Sequence, residues 1–175
     1  EGTTRIIYTS DHGDTFGDHG LWWKNSMYEV SVGVPMLIAG PSIPSGKVSN
    51  TPVSLIDVFP TVLDAVGVEA AEEDSDLPGT SLIQLAAQRD DRHRAVFSEY
   101  HAAFSSSAIF ALRFGNYKYI EYVGMEPQLF ALSSDPHEVR DLAQSPAYRP
   151  LLNSCRERLR SIVDPEGTDR RAKSD

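Results

Sequence analysis

A short β-branched run, followed at once by Ser-Asp-His-Gly, defines the first element of the predicted fold. Residues 5–9 have the composition of a buried strand, and residues 10–13 lie at its carboxyl end. In open parallel α/β sheets, ligand sites form at the carboxyl ends of the strands. Asp11 and His12 are suitable ligands for a divalent cation, and Gly13 allows a sharp turn. The pattern predicts an α/β fold with a polar site here; a helix-capping Asp beside a buried His is the structural alternative.

The next segment contains a second bend and a second strand. Residues 17–20 read Gly-Asp-His-Gly, and Lys24 lies thirteen residues after Asp11. A Tyr-Glu pair at 28–29 precedes an apolar run at 34–39, which we interpret as another strand. Both strands are predicted to belong to a larger parallel sheet, covered on both faces.

The order of these motifs resembles the sulfatase family of the alkaline-phosphatase-like superfamily. That family has S-D-H-G, G-(D/E)-H-G, a Lys, (Y/F)-E and a V-P-(L/M)-(L/I/M) strand in this order. The G-x-x-G-x-W-x-K run at 17–24 resembles the choline-sulfatase-like and iduronate-sulfatase-like branches. Further matches lie at residues 54–61, 78–82, 128–136 and 141–143, so the resemblance covers most of the chain.

The resemblance implies a sulfuric ester hydrolase with one divalent cation. It assigns Asp11 and His12 as metal ligands, Lys24 to the sulfate group as a compact ammonium donor, and Trp22 to the substrate. The expected metal is Ca²⁺; Mn²⁺ and Mg²⁺ are alternatives, since imidazole is a softer ligand than Ca²⁺ prefers. His19 is a candidate catalytic residue that either polarises a substrate group or bonds a loop carbonyl.

Two further groups of residues are candidates for substrate binding. Trp22, Trp23 and Tyr28 have the composition of an aromatic cage for a quaternary ammonium, or they simply pack. Choline sulfatases often carry G-E-R-G where this chain has residues 17–20, which argues against choline. His101 follows a predicted strand and is a candidate substrate-binding residue; an ordinary surface histidine is the alternative.

Sulfatases make a formylglycine nucleophile from a C/S-x-P-x-R motif, which this sequence lacks. Cys155 has no Pro two residues later, and residues 42–46 have Gly46 at the position of the Arg. We therefore expect this chain to be a C-terminal portion, with the formylglycine and the remaining metal ligands on an N-terminal portion of the same protein. The isolated chain would then be inactive. A phosphonate monoester or phosphodiester hydrolase of the same superfamily and a catalytically inactive binding module are the alternatives.

Charge and composition restrict the partners. Sixteen basic and 25 acidic residues give a net charge of −9, which argues against nucleic-acid binding. No apolar run approaches the roughly 20 residues that span a bilayer, so no membrane partner is predicted. The single cysteine weakly favours a cytoplasmic location, which is otherwise unknown. The predicted partners are a small sulfate ester and the N-terminal portion, with a homo-oligomer through the C-terminal tail as an open alternative.

The predicted fold class is α/β. Residues 1–92 form the end of an alkaline-phosphatase-like mixed sheet flanked by helices, in which Asp57 caps a helix that ends at Gly67. Residues 93–165 form a small antiparallel sheet packed with a C-terminal helix that buries Cys155. Its four strands are predicted at 95–100, 107–114, 117–123 and 128–132. The charged, apolar-poor tail at 166–175 is expected to be disordered or held by a partner subunit.

Overall fold

The computed structural model describes residues 2–102 and 105–174, which form a mixed α/β structure with two sheets. Its contacts divide the chain into two compact units, Glu1–Asp11 with Val34–Arg94 and His12–Gly33 with Ala95–Asp175. Residues 12–33 are thus grouped with the C-terminal unit, whereas the predicted division placed them with residues 1–92. The principal elements, in chain order, are strand β1 (Ile6–Thr9), helix α1 (Glu29–Val32), strand β2 (Met36–Ala39), helices α2 (Val58–Val66) and α3 (Leu82–Ala87), strands β3 (Ala95–Tyr100), β4 (Ile109–Phe114), β5 (Tyr117–Tyr122) and β6 (Gln128–Ala131), and helices α4 (Arg149–Arg160) and α5 (Pro165–Ser174).

In the first unit, β1 and β2 pair antiparallel, with Ile6 opposite Ala39. We predicted that these two strands belong to a parallel sheet. This prediction is wrong for the pairing of β1 with β2. Strand β2 runs in the opposite direction to β1, and an antiparallel pair needs no crossover helix between its strands. The pair leaves apolar side chains open: Tyr8 is 62% and Leu37 is 58% exposed.

Helix α2 begins and ends as its sequence predicts. The buried Asp57 accepts hydrogen bonds from the backbone nitrogens of Ser54 (2.8 Å) and Thr80 (2.8 Å) and from Arg94 (2.6 Å), which fixes the turn that leads into α2. Gly67 ends the helix in the left-handed conformation, at φ 71°. Asp57 thus occupies the predicted N-cap position, but its side chain closes the capping box of the preceding turn, with Ser54, and makes no capping hydrogen bond to α2.

In the second unit, β3 to β6 form an antiparallel sheet in sequence order, which confirms the predicted four-stranded sheet. Residues 115–116 form the two-residue connection between β4 and β5, as expected from their Gly-Asn sequence. The sheet is buried on both faces. One face packs Phe110, Leu112 and Tyr119 against Cys155 and Leu159 of α4.

The other face carries the segment that precedes and includes α1. Met27 packs there against Ile109, Ala111, Ile120 and Phe130. Because side chains alternate along a strand, the neighbouring residues of β4 serve the two faces in turn. The sheet therefore supports the N-terminal segment of this unit, residues 12–33, by direct apolar contact.

The charged tail corrects the sequence prediction. Residues 165–174 form helix α5, in which Thr168 and Asp169 are buried. Asp169 Oδ1 accepts a hydrogen bond from Ala108 N at 2.6 Å, just before β4. Polar contacts hold this helix in place. The lack of apolar residues, from which disorder or a partner subunit was expected, therefore does not prevent an ordered helix. No helix in the described parts of the chain has the length and apolarity needed to cross a bilayer.

Candidate functional site

The first turn of the candidate site depends on a close backbone approach at Gly13. Gly13 N donates to Ser31 O at 2.7 Å. A Cβ atom on residue 13 would lie 2.1 Å from the carbonyl oxygen of Val30, closer than van der Waals contact permits. Only glycine brings the chain this near to α1, so the turn predicted from Gly13 is present.

His12 and Lys24 form the central contact of the site. His12 Nδ1 lies 2.7 Å from Gly13 O, and His12 Nε2 lies 2.7 Å from Lys24 Nζ. A carbonyl oxygen only accepts, so this network assigns the imidazole proton to Nδ1. The lone pair of Nε2 then faces the ammonium group of Lys24. Two residues that the sequence singled out separately are in direct contact.

Hydrogen bonds to backbone oxygens fix the chain on either side of this contact. Lys24 O accepts from Ser31 Oγ at 2.7 Å. Trp23 O accepts from Thr15 N at 2.9 Å and from Thr15 Oγ1 at 2.7 Å. Both Thr15 and Ser31 are buried, whereas Lys24 is exposed. The backbone of Lys24 is therefore held while its amino group remains open to a ligand.

His19 lies against an aromatic ring. It stacks on Tyr28 with the ring centroids 3.8 Å apart and the planes 3° from parallel. Tyr28 exchanges hydrogen bonds with Gln128 of β6, at 3.3 and 3.1 Å, which ties the stack to the sheet. The stack fixes the position of the His19 ring through its face. The catalytic role of His19 stays a prediction.

Exposed aromatic side chains surround the bend. Phe16, Trp22 and Trp23 are 78%, 67% and 63% exposed. Three of the five non-glycine residues with positive φ in the described chain lie here, namely Phe16, His19 and Trp23. Such backbone conformations cost about 1–3 kcal/mol each and cluster at functional sites. Because Tyr28 already stacks on His19, the predicted three-residue aromatic cage stays a prediction.

Asp11 and His101 are the remaining candidates. Asp11 is exposed and belongs to the first unit, where its Oδ1 lies 3.4 Å from Ser10 Oγ. His101 Nε2 lies 3.9 Å from Glu99 Oε2, and His101 lines a cavity of about 320 Å³ together with Asp169 and Lys173. Within residues 2–102 and 105–174, no three His, Cys, Asp or Glu side chains are grouped to hold a metal ion.

Sequence reasoning missed the residues that organise the site. The buried Thr15 and Ser31 donate hydrogen bonds to the backbone oxygens of Trp23 and Lys24. Neither residue belongs to a recognisable ligand pattern. The position of Ser31 between the two valines of α1 is the only local signal that the sequence gives. Cys155 behaves as predicted, since its burial raises the pKa of the thiol to about 11.

Most of the chain is similar to known proteins. Residues 17–164 match the sequence family described as N-sulphoglucosamine sulphohydrolase, C-terminal. Arylsulfatase K of Danio rerio is 40% identical over 169 residues, which cover 92% of this chain and 31% of that protein. Choline-sulfatase of Rhizobium meliloti (strain 1021) is 40% identical over 144 residues, which cover 82% of this chain and 28% of that protein. The chain thus spans less than a third of the length of either relative.

Solved structures share the fold. A 2-O GAG sulfatase superposes with a TM-score of 0.80 at 28% identity, over 98% of this chain and 37% of that chain. The phosphonate monoester hydrolase of Agrobacterium radiobacter gives a TM-score of 0.76 at 27% identity, over 91% of this chain and 34% of that chain. The same fold therefore occurs in two kinds of ester hydrolase.

Proposed function

The chain belongs to the sulfatase family, in which it matches the C-terminal region of N-sulphoglucosamine sulphohydrolase, and we propose from this premise that the full-length protein hydrolyses sulfuric esters. The contact of Lys24 Nζ with His12 Nε2 on a fixed, exposed loop is the observation that carries this proposal. The predicted resemblance to sulfatases is confirmed by the family match, and the substrate remains part of the proposal.

In this proposal Lys24 binds the sulfate group of the ester. Its ammonium donates to a sulfate oxygen and stabilises the negative charge that grows on the oxygens as the ester bond breaks. Ser31 holds the backbone of Lys24, and Thr15 holds the backbone of Trp23. The loop therefore loses little conformational freedom when the substrate binds. His19 and Trp22 lie on the same loop, and we propose that they contact the leaving-group side of the ester.

Asp11 and His12 are the proposed protein ligands of one divalent cation. The tautomer of His12 fits this role, because Nδ1–H donates to a carbonyl and leaves the Nε2 lone pair for a metal, as in most metal-binding histidines. When bound, the cation supplies Lewis-acid stabilisation of negative charge on the substrate. The described residues hold too few ligands to complete such a site, so further ligands are proposed from outside these 175 residues. Ca²⁺ is the first choice, with Mn²⁺ or Mg²⁺ as alternatives.

One lone pair on His12 Nε2 cannot serve Lys24 and a cation together. Lys24 and the metal are therefore alternative partners of this nitrogen. In the metal-loaded enzyme, Lys24 would release His12, and its amino group would be available to the sulfate. The nucleophile is proposed to be a formylglycine outside this chain, because the sequence has no C/S-x-P-x-R motif. A full-length protein without that motif would instead be an inactive binding module.

A phosphonate monoester hydrolase is the second candidate, favoured by the structural similarity to the Agrobacterium radiobacter enzyme. The full-length protein, prepared with formylglycine and Ca²⁺, should be assayed on an aryl sulfate and on the matching aryl phosphonate monoester. The proposal predicts the higher kcat/KM on the sulfate. A clear preference for the phosphonate would overturn it.

The ligand assignment is tested by metal analysis of purified variants. Asp11→Asn and His12→Ala should lower the bound metal per molecule, whereas Lys24→Ala should retain it. Full metal content in both ligand variants would contradict the assignment. Lys24→Ala serves as the matched control, because it removes a neighbouring polar side chain that is not a proposed ligand.

A further inference from the structure

A buried lysine on the sheet has no role in the site as described so far. Lys118 lies in β5 and is 1% exposed. It is paired with Phe130 of β6 and is two residues from Ile120, so it belongs to the sheet face that packs against Met27. A buried ammonium is costly unless acceptors surround it, and an apolar residue would fill this position more easily.

Three oxygens lie close to this ammonium, as many as it has N–H donors. Lys118 Nζ donates to Met27 O at 2.8 Å and pairs with Glu29 Oε1 at 2.8 Å and Glu138 Oε1 at 2.7 Å. Glu29 N donates to Glu138 Oε2 at 2.6 Å. Of the three acceptors, Met27 O lies just before α1 and Glu29 is the first residue of α1. Lys118 thus fixes this segment against the sheet.

Glu138 is held in an unfavourable conformation to make these contacts. It is 3% exposed and has a φ of 52°. Burial raises the pKa of its carboxyl group, and the Lys118 ammonium opposes that rise. Backbone strain and a buried charge at one residue persist only where the surrounding structure over-determines them.

The contacts continue from this cluster to the candidate site. Glu29 is the first residue of α1, and Ser31 lies one half-turn further in the same helix. Ser31 accepts from Gly13 N at 2.7 Å and donates to Lys24 O at 2.7 Å. One buried residue of α1 therefore holds the backbone beside His12 and the backbone of Lys24.

We propose that the cluster of the buried Lys118 and Glu138 with the half-buried Glu29 is a positioning device, which holds α1 so that Ser31 sets Lys24 and His12 in register for the reaction. This inference rests on the proposed function, because it requires Lys24 to act on the substrate. In this proposal the three residues of the cluster act through α1 and not by contact with the substrate or the metal.

The test is a double-mutant cycle in the full-length enzyme, assayed on the aryl sulfate with melting temperatures recorded. Glu138→Gln keeps an acceptor for Glu29 N but removes the charge that faces Lys118. It should lower kcat about 10- to 100-fold, since small misplacements of a catalytic group have effects of this size. In the Lys24→Ala background the same change should lower kcat further by less than about twofold, because the group that it positions is absent.

A merely structural role gives a different pattern. An equal loss in both backgrounds, or no loss in the Lys24 enzyme, would overturn the inference. Glu166→Gln is the matched control and should leave kcat unchanged, since Glu166 pairs with Arg160 at an exposed position. If Glu138→Gln does not fold, Glu29→Gln, which removes the other charge that faces Lys118, replaces it under the same criteria. Unchanged kcat in Lys24→Ala alone would instead overturn the proposed function, and this inference with it.

Discussion

At the scale of single residues, the site depends on where one proton lies. The Gly13 carbonyl orients the proton of His12 onto Nδ1, which directs the Nε2 lone pair at Lys24. That carbonyl is in place because residue 13 has no side chain, and α1 approaches its backbone directly. The tautomer of His12 therefore depends on residue 13 being a glycine.

The first prediction concerns Gly13→Ala. The added Cβ meets Val30 O at 2.1 Å, so α1 must shift or the Gly13–Ser31 hydrogen bond must break. We expect a loss of about 1–3 kcal/mol in the free energy of unfolding, the usual cost of overpacking, measured by urea denaturation. Gly2→Ala is the control, because nothing lies within 4 Å of its Cβ position. Equal stability of the two variants would contradict the described approach of α1.

At the scale of elements, the four-stranded sheet is predictable and the two ends of the chain are less so. Strands β3 to β6 show local alternation and short turns, which sequence alone reveals. The prediction that β1 and β2 belong to a parallel arrangement is wrong for their mutual pairing, because the composition of a buried strand does not reveal the direction of its neighbour. Helix α5 has few apolar residues, and side-chain contacts such as that of Asp169 with Ala108 hold it.

The pairing of α4 with α5 gives a prediction about pH. Arg160 donates to both carboxylate oxygens of Glu166, at 2.8 and 2.5 Å, and these bonds lower the pKa of Glu166 from 4.5 to about 2. A lowered pKa in the folded state stabilises the fold above the unfolded value, and this contribution is lost as pH falls from about 4.5 to about 2. Because both side chains are more than 40% exposed, we expect at most about 1 kcal/mol.

Glu166→Gln tests this pairing. The variant should be less stable than the parent protein at pH 7, and the difference should shrink as the pH approaches 2. Urea denaturation at several pH values measures it. A difference that stays constant over this range would show that Glu166 does not act through its charge.

At the scale of the whole molecule, the family was easier to predict than the geometry of the site. Motif order identified the family, because its glycines, its Asp-His pair and its lysine recur at set spacings. The contact between His12 and Lys24 was not predictable, since it depends on how α1 packs on the sheet. The cluster around Lys118 also escaped prediction, because a lysine in an alternating strand usually faces solvent. A net charge of −9 is compatible with the proposed binding of an anion, because the local field of Lys24 and of the proposed cation would outweigh it within the site.

Turnover of an aryl sulfate by full-length Lys24→Ala enzyme tests the central claim most directly. The account predicts a fall in kcat of about 10²- to 10³-fold, the effect of removing one donor to a developing oxyanion, with bound metal and melting temperature unchanged. Lys47→Ala, which removes an exposed lysine that donates to the backbone oxygens of Ala86 and Gln88, is the matched control and should retain full turnover. Unchanged kcat in a Lys24→Ala enzyme that keeps its metal would show that Lys24 is an ordinary surface residue and would contradict the account.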